Sequence, residues 1–360
     1  MDSIVNAAIQ HGKLEEKLFN EFETERLKIV VLGTGGGGNN TVNRLSHIGV
    51  EGAELMAADT DRQDLQKIDN SITKILMGAK LMRGLGAGGF PELGEKAAEA
   101  SRHELADLLS GTNLLFLCAG MGGGTGTGSA PIIADVAKEQ GAITVGIVTF
   151  PFELERTRLE IARRGIDRLR KVCDTVIVID NNKLVQYVPN LPIDKAFSVA
   201  DEVVARAVKG ITETIMEPSL INLDFADIKA VMTSGEVAVI SVGDGEGPDK
   251  IEKAAEKTLK QPLLDVDYKD ATGCLIHITG GEDLTLGQAN AVGQEITKEL
   301  SPSAKVTWGA RVSPRLHDKI EVIAIITGVK SPNLFTSRRG TGSYIYTQEY
   351  ENWAEGLPEI

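Results

Sequence analysis

Cysteine, histidine and aromatic residues are all scarce in this chain. The three cysteines, Cys118, Cys173 and Cys274, stand far apart and are odd in number, each in or beside an apolar run. That pattern excludes a disulfide framework and fits buried thiols in a reducing compartment. The five histidines never approach one another or a cysteine at ligand spacing, so there is no metal-cage motif. Aromatics make up only 4% of the residues. The longest apolar runs, around 114–119 and 143–148, fall far short of the ~20 residues that span a bilayer. The N-terminal residues lack the basic-then-apolar order of a signal peptide. Positive charge is also in the minority, 38 Lys and Arg against 51 Asp and Glu, for a net charge of −13. Such a mean field repels polyanions, which argues against nucleic acid as a partner and against direct membrane insertion. It leaves open a local phosphate site made of backbone amides. The expectation is a soluble, cytoplasmic protein.

What is abundant is glycine, 39 residues in a chain of 360 with 42% hydrophobic residues. The length suits roughly two domains. Residues 1–26 read as an N-terminal helical arm, with Leu14, Leu18 and Phe22 on one face. From Leu27 the texture becomes short apolar runs alternating with helical patterns. Runs at 27–32, 53–58, 113–119, 142–148 and 175–179 predict strands; 39–48, 91–110, 129–140 and 155–172 predict helices. Ser129 is placed to cap the helix over 129–140, with Pro131 in its first turn. This alternation predicts an α/β fold: a parallel-sheet nucleotide-binding domain over 27–197 with helices on both faces. A long central helix over 198–218, stopped by Pro218, shows apolar residues every four positions from Val199 to Ile215. It joins a smaller α+β domain over 219–330, with strands at 237–242, 273–279, 305–312 and 319–326 and helices at 249–260 and 286–300. The tail, 331–360, holds Tyr344, Tyr346, Tyr350 and Trp353. It is either a partner-binding peptide or an ordered flap.

The glycines gather where chemistry is expected. Gly33-Thr34-Gly35-Gly36-Gly37-Gly38-Asn39-Asn40 follows a strand and opens a helix. Amides at a helix N-terminus, with glycines that let backbone approach, make a phosphate cradle. Gly33, Gly35 and Gly38 fit the G-x-G-x-x-G spacing of a dinucleotide fold, and Asp59, about 20 residues on, stands where a ribose-binding acid would. Alone, this loop suits an NAD-dependent oxidoreductase. A second cluster, Gly120-Met121-Gly122-Gly123-Gly124-Thr125-Gly126-Thr127-Gly128, again sits between a strand and a helix. Two such turns on one sheet place two sets of amides around one oligophosphate, with hydroxyls from Thr125 and Thr127, and a dinucleotide fold does not need the second. A third stretch, Gly84 to Gly89, precedes the helix at Pro91 and is placed to close over a terminal phosphate.

Gly122 to Gly128 reproduces the tubulin signature G-G-G-T-G-T-G. With the segments at 33–45, 59–65, 84–92, 151–155, 179–184, 197–203 and 222–231, the chain resembles the FtsZ family, the tubulin-like GTPases of prokaryotic cell division, over about 27–330. The Asp180-Asn181-Asn182 run and the N-terminal arm suggest its archaeal branch. The resemblance implies GTP/GDP as ligand with Mg²⁺, Gly35, Gly36 and Gly37 lining the nucleotide beside Asn39 and Asn40, and Gly122, Gly123, Gly124, Thr125, Gly126 and Thr127 holding phosphates. Gly86 and Ala87 lie near the γ-phosphate, and Glu155 faces the ribose. The family's usual arginine position reads Leu159 here, so Arg158 stands in for it. Asn181 helps hold base and sugar, Phe197 stacks on guanine, and Asp201 accepts from guanine N1 and N2. Guanine presents two donors on that edge, where adenine presents an acceptor at N1.

Asn222, Asp224 and Asp227 follow the long helix. They read either as acids decorating a helix N-terminus or as groups that orient a water attacking a phosphate. Nineteen helical residues from Ser198 to Met216 span roughly 28 Å, so with the base at the helix start these carboxylates do not easily reach their own chain's phosphates. If they serve hydrolysis, they serve a neighbouring copy through a head-to-tail contact, which repeats into filaments. The resemblance implies the same, and with it a division ring at mid-cell and division proteins or a membrane tether on the C-terminal tail.

Overall fold

The computed structural model describes residues 27–216, 225–233, 236–260 and 266–330. The expected N-terminal arm and tail, Pro218, Asn222 and Asp224 lie outside the described residues. β1 (Ile29–Thr34) runs into α1 (Gly35–Ile48), and β2 (Ala53–Asp59) leads through α2 (Arg62–Lys67) to β3 (Thr73–Leu76). The one-turn α3 (Ala79–Met82), α4 (Pro91–Ala100) and α5 (Arg102–Leu109) precede β4 (Leu114–Gly120) and α6 (Thr125–Glu139). Then come β5 (Ile143–Phe150), α7 (Thr157–Leu169), β6 (Thr175–Asp180), α8 (Asn181–Tyr187) and the long α9 (Ile193–Met216). The second part holds α10 (Phe225–Met232), β7 (Glu236–Glu246), α11 (Lys250–Lys260), β8 (Gly273–Gly280), α12 (Leu286–Thr297), β9 (Lys305–Val312) and β10 (Lys319–Thr327).

The strands form one sheet in the order β3-β2-β1-β4-β5-β6-β7-β10-β8-β9. The first six are parallel. Their order reverses between β1 and β4, and in doubly wound sheets the ligand crevice opens at that switch point, beyond the carboxyl ends of the strands. β7 continues the sheet through a short parallel pairing of Thr175–Ile177 with Glu236–Ala238. β10 then runs antiparallel to β7 and β8, and β9 parallel to β8. The sequence pattern gives no sign of this continuity, because a three-residue pairing leaves no periodicity of its own.

Both faces of the sheet are covered. Val30, Leu32, Leu115 and Leu117 pack into a core with α4 and α6, while Val31, Phe116, Ile147 and Ile177 pack on the other face. α9 lies across that second face. Its Ala200, Val204, Val208 and Ile211 meet residues from the first part and also Ala238, Leu275 and Ile323 from the second, so one helix spans both. Buried apolar side chains on both faces explain why these strands read as continuous runs.

Several boundaries differ from expectation, and the central helix expected over 198–218 starts five residues early, at Ile193. α1 and α6 each begin four residues early, inside their glycine clusters. Ser129 is therefore an interior residue: its hydroxyl bonds back to the Thr125 carbonyl at 2.7 Å and pairs with Thr34 Oγ1 at 2.6 Å. The helix expected over 91–110 is two helices that share Ser101 as a junction, where Ser101 Oγ accepts from the Gly78 amide at 3.0 Å.

Candidate nucleotide site

Two helix N-termini meet at the switch point. α1 starts after Thr34 and α6 after Gly124, and neither first turn receives a side-chain cap. Their leading amide donors are left to an outside acceptor, the arrangement that binds anions. Close packing explains the glycines. A Cβ on Gly35 would lie 2.8 Å from the Gly126 nitrogen, one on Gly38 2.0 Å from the Cys118 carbonyl oxygen, and one on Gly128 1.9 Å from the Pro91 carbonyl oxygen. Gly36 and Gly123 differ, since a Cβ there would meet nothing within 4 Å. Both line a cleft of about 1050 Å³, at the upper limit of small-molecule sites. A side chain at either would enter the space a ligand's phosphates need.

The third glycine stretch forms one wall. Gly86 donates its amide to Thr60 at 3.1 Å and takes a positive φ of 82°. Ala87 is buried against Gly124. Leu85 is 80% exposed at the cleft mouth.

At the other end the cleft is lined by Asn181, Phe197 and Asp201, with Glu155 and Arg158 nearby. Asn181 follows β6 directly and is 8% exposed, yet its Oδ1 has no partner among the described residues. A buried acceptor of this kind is open to a donor from a ligand or a water. Phe197 is 40% exposed, edge-on to Phe152 at 5.6 Å, with ring surface free to stack. Asp201 accepts from Thr41 at 2.7 Å, and burial pushes its carboxyl above the usual range, opposed by the Thr41 bond and the Arg44 charge. Arg158 pairs with Glu155 at 2.6 Å, and Glu155 also accepts from the Phe152 amide at 3.1 Å.

Of the other residues expected here, Gly35, Gly37, Asn40, Gly124, Thr125 and Gly126 also line the cleft, whereas Asn39, Gly122 and Thr127 do not. Asn39 is buried and donates to Asp59 Oδ2 at 2.9 Å. The Gly122 amide donates to Thr127 Oγ1 at 2.9 Å, so this pair shapes the loop from behind. The Thr125 hydroxyl pairs with Thr60 at 2.7 Å. Asp227 sits in the first turn of α10, away from the cleft lining. Sequence reasoning missed Thr41, Arg44, Asp61 and Asp64, which line the cleft. Thr41 was open to discovery, because it lies one helical turn beyond Gly37 and on the same face.

The GTPase-domain model of the tubulin/FtsZ family matches residues 28–189, and the FtsZ C-terminal domain model matches 236–330. The chain is 58% identical to cell division protein FtsZ 2 of Methanocaldococcus jannaschii over 92% of this chain and 87% of the relative. It is 49% identical to the protein of that name from Haloferax volcanii, over 92% and 84%. A solved structure titled as an empty FtsZ dimer from M. jannaschii superposes with a TM-score of 0.81 at 41% identity, covering 96% of this chain and 99% of that one. The oxidoreductase alternative is not supported. Asp59, its ribose-binding candidate, is 3% exposed, and its carboxylate is taken by Asn39 and by the amides of Thr60 and Asp61. With both its halves matched in order, the chain belongs to the tubulin/FtsZ family of GTPases.

Proposed function

We propose that this GTPase holds GTP in the switch-point cleft and cleaves it only where a second copy of the chain completes the site. In this reading the first turns of α1 and α6 cradle the phosphates with Gly35, Gly36, Gly37 and Gly123 to Gly126, Gly122 and Thr127 brace that loop from behind, and Gly86 and Ala87 close over the γ-phosphate. Asn181 and Glu155 hold the ribose side, with Arg158 released from Glu155 toward phosphate. Phe197 stacks on the base, and Asp201 accepts from its two edge donors. The unpartnered Asn181 Oδ1 and the open space at Gly36 and Gly123 fit such a ligand. Among the described residues no three His, Cys, Asp or Glu side chains gather as a metal cage. A Mg²⁺ bound with GTP would neutralise charge on the phosphates.

One observation carries the interface reading. The cleft opens at the carboxyl end of β6, where Asn181 lies. α10 is tied to the other end, for Thr175, the first residue of β6, donates its hydroxyl to the Met232 carbonyl. A strand of this length separates them by about 20 Å. Asp227, on the same short helix, lies off its own cleft, as it would if it served the nucleotide of a neighbour stacked beneath, and in this reading Asn222 and Asp224 act with it. Those groups would orient the water that attacks the γ-phosphorus, accepting its hydrogen bonds as GDP and phosphate separate.

Head-to-tail stacking of this kind gives a filament; the M. jannaschii relative solved as a dimer supports self-association. The curated relatives are named for cell division, and the proposed setting is the cytoplasm, at a mid-cell division ring, with the tail meeting division proteins or a membrane tether. No helix among the described residues is long and apolar enough to cross a membrane. The test is phosphate release against protein concentration, which should rise cooperatively above a threshold. Asp227→Ala should bind GTP as the parent does and lose hydrolysis. Turnover strictly proportional to concentration, down to the monomer, would sink the reading.

A further inference from the structure

The base end of the cleft contains a contact that nucleotide binding alone does not explain. Thr41, buried on α1, donates its hydroxyl to Asp201 Oδ1 on α9 at 2.7 Å. The same hydroxyl lies 3.3 Å from the Gly37 carbonyl oxygen, one turn back toward the phosphate cradle. A hydroxyl has one proton to give. The nearer acceptor is a carboxylate, and charge-assisted bonds are roughly twice as strong as neutral ones. The Thr41 proton therefore goes to Asp201. This matters because the terminal torsion of an aspartate is broad and two-fold. A carboxylate held only by its backbone would swivel. Arg44, the nearest cation on α1, is engaged with Glu202 at 3.5 Å and leaves the orienting to Thr41.

We propose that Thr41 is a specificity-determining positioning residue: its hydroxyl locks the Asp201 carboxylate so that both oxygens meet the two edge donors of a guanine at once. This rests on the reading of Asp201 as the group that recognises the base. A purine with one edge donor, hypoxanthine, needs only one correctly aimed oxygen, which a swivelling carboxylate still supplies. A purine with two needs the carboxylate plane fixed. Loss of the Thr41 hydroxyl therefore costs more for guanine than for hypoxanthine.

The experiment titrates the full chain with GDP and with inosine diphosphate, in the parent and in Thr41→Val, Thr41→Ser and Asp201→Ala. Valine keeps the shape and removes the donor; serine keeps the donor. Thr41→Val should weaken GDP binding by about ten-fold, the scale of one hydrogen bond to a charged group, with a smaller loss for inosine diphosphate. Thr41→Ser should keep the parent's ratio. Should the valine variant melt well below the parent, Thr41→Ala, which introduces no new bulk, goes into the same titrations in its place. If the valine variant keeps the parent's ratio while Asp201→Ala loses it, the proposal falls and the base-recognition reading stands. If Asp201→Ala also keeps the ratio, that reading falls and the proposal with it. Equal loss in the serine and valine variants assigns Thr41 to packing and overturns the proposal.

Discussion

At the scale of single residues, the glycines of the two loops divide into two kinds. Gly38 and Gly128 are glycine because backbone presses on them, with a Cβ at 2.0 and 1.9 Å from a carbonyl oxygen. Gly36 and Gly123 are glycine although no protein atom lies within 4 Å of a Cβ placed there. The first kind serves the fold, the second the ligand. Gly128→Ala should therefore cost about 1–3 kcal/mol of stability through overpacking, read from denaturant unfolding. Gly123→Ala should leave the unfolding curve of the nucleotide-free protein nearly in place and weaken GDP binding at least ten-fold. If Gly123→Ala binds as the parent does, the open space is not a phosphate seat. The sequence alone gave the clusters and their chemistry but not this division, because it depends on what packs behind each Cα. Asn39 and Thr127 illustrate the same limit. Both sit inside the motif, and both turn inward to hold Asp59 and the Gly122 amide.

At the scale of elements, the strands were the most legible part. The runs at 305–312 and 319–326 fall on β9 and β10 almost residue for residue, because turn-forming residues bound each of them closely. Helix starts were not legible at the glycine loops. Propensity places a glycine cluster outside a helix, but here the first turns of α1 and α6 are wedged against each other and against β4, and tertiary contact overrides it. The seam between α9 and the second part has its own marker. His277 of β8 is 4% exposed, bonds Thr279 Oγ1 at 3.0 Å, and lies against Gly210 of α9. Burial, and then the Arg311 charge, push its imidazole down from 6.5 to about 4. The unfolded chain thus takes up this proton first, so stability present above about pH 6.5 is lost as pH falls toward 4. The loss reaches about 3 kcal/mol at most. Urea unfolding at pH 7, 6 and 5 should show it in the parent, and His277→Gln should lose that component of the slope. Identical slopes would mean that the imidazole is solvated in the folded protein.

At the scale of the whole molecule, the continuous sheet sets a polarity. The cleft lies beyond one end of its parallel strands, and α10 is moored at the other. The sequence suggested this separation from helix length alone; the Thr175–Met232 contact now supports it from the strands. The proposal puts half a site at each end of the subunit, and a test by mixing decides it. Asp227→Ala keeps an intact nucleotide cleft but presents a defective end to its neighbour. Asp201→Ala presents an intact end but holds guanine nucleotide poorly. Each alone should hydrolyse little GTP. In an equal mixture that copolymerises at random, about one seam in four joins a competent cleft to a competent end. The mixture should therefore recover roughly a quarter of the parent's turnover per subunit, measured as phosphate released above the assembly threshold. Recovery requires that one chain's carboxylate act on another chain's nucleotide, and no arrangement within a single subunit can produce it. A mixture no more active than its components, under conditions where both variants sediment together as polymer, would show that the carboxylates of α10 do not complete a neighbour's site.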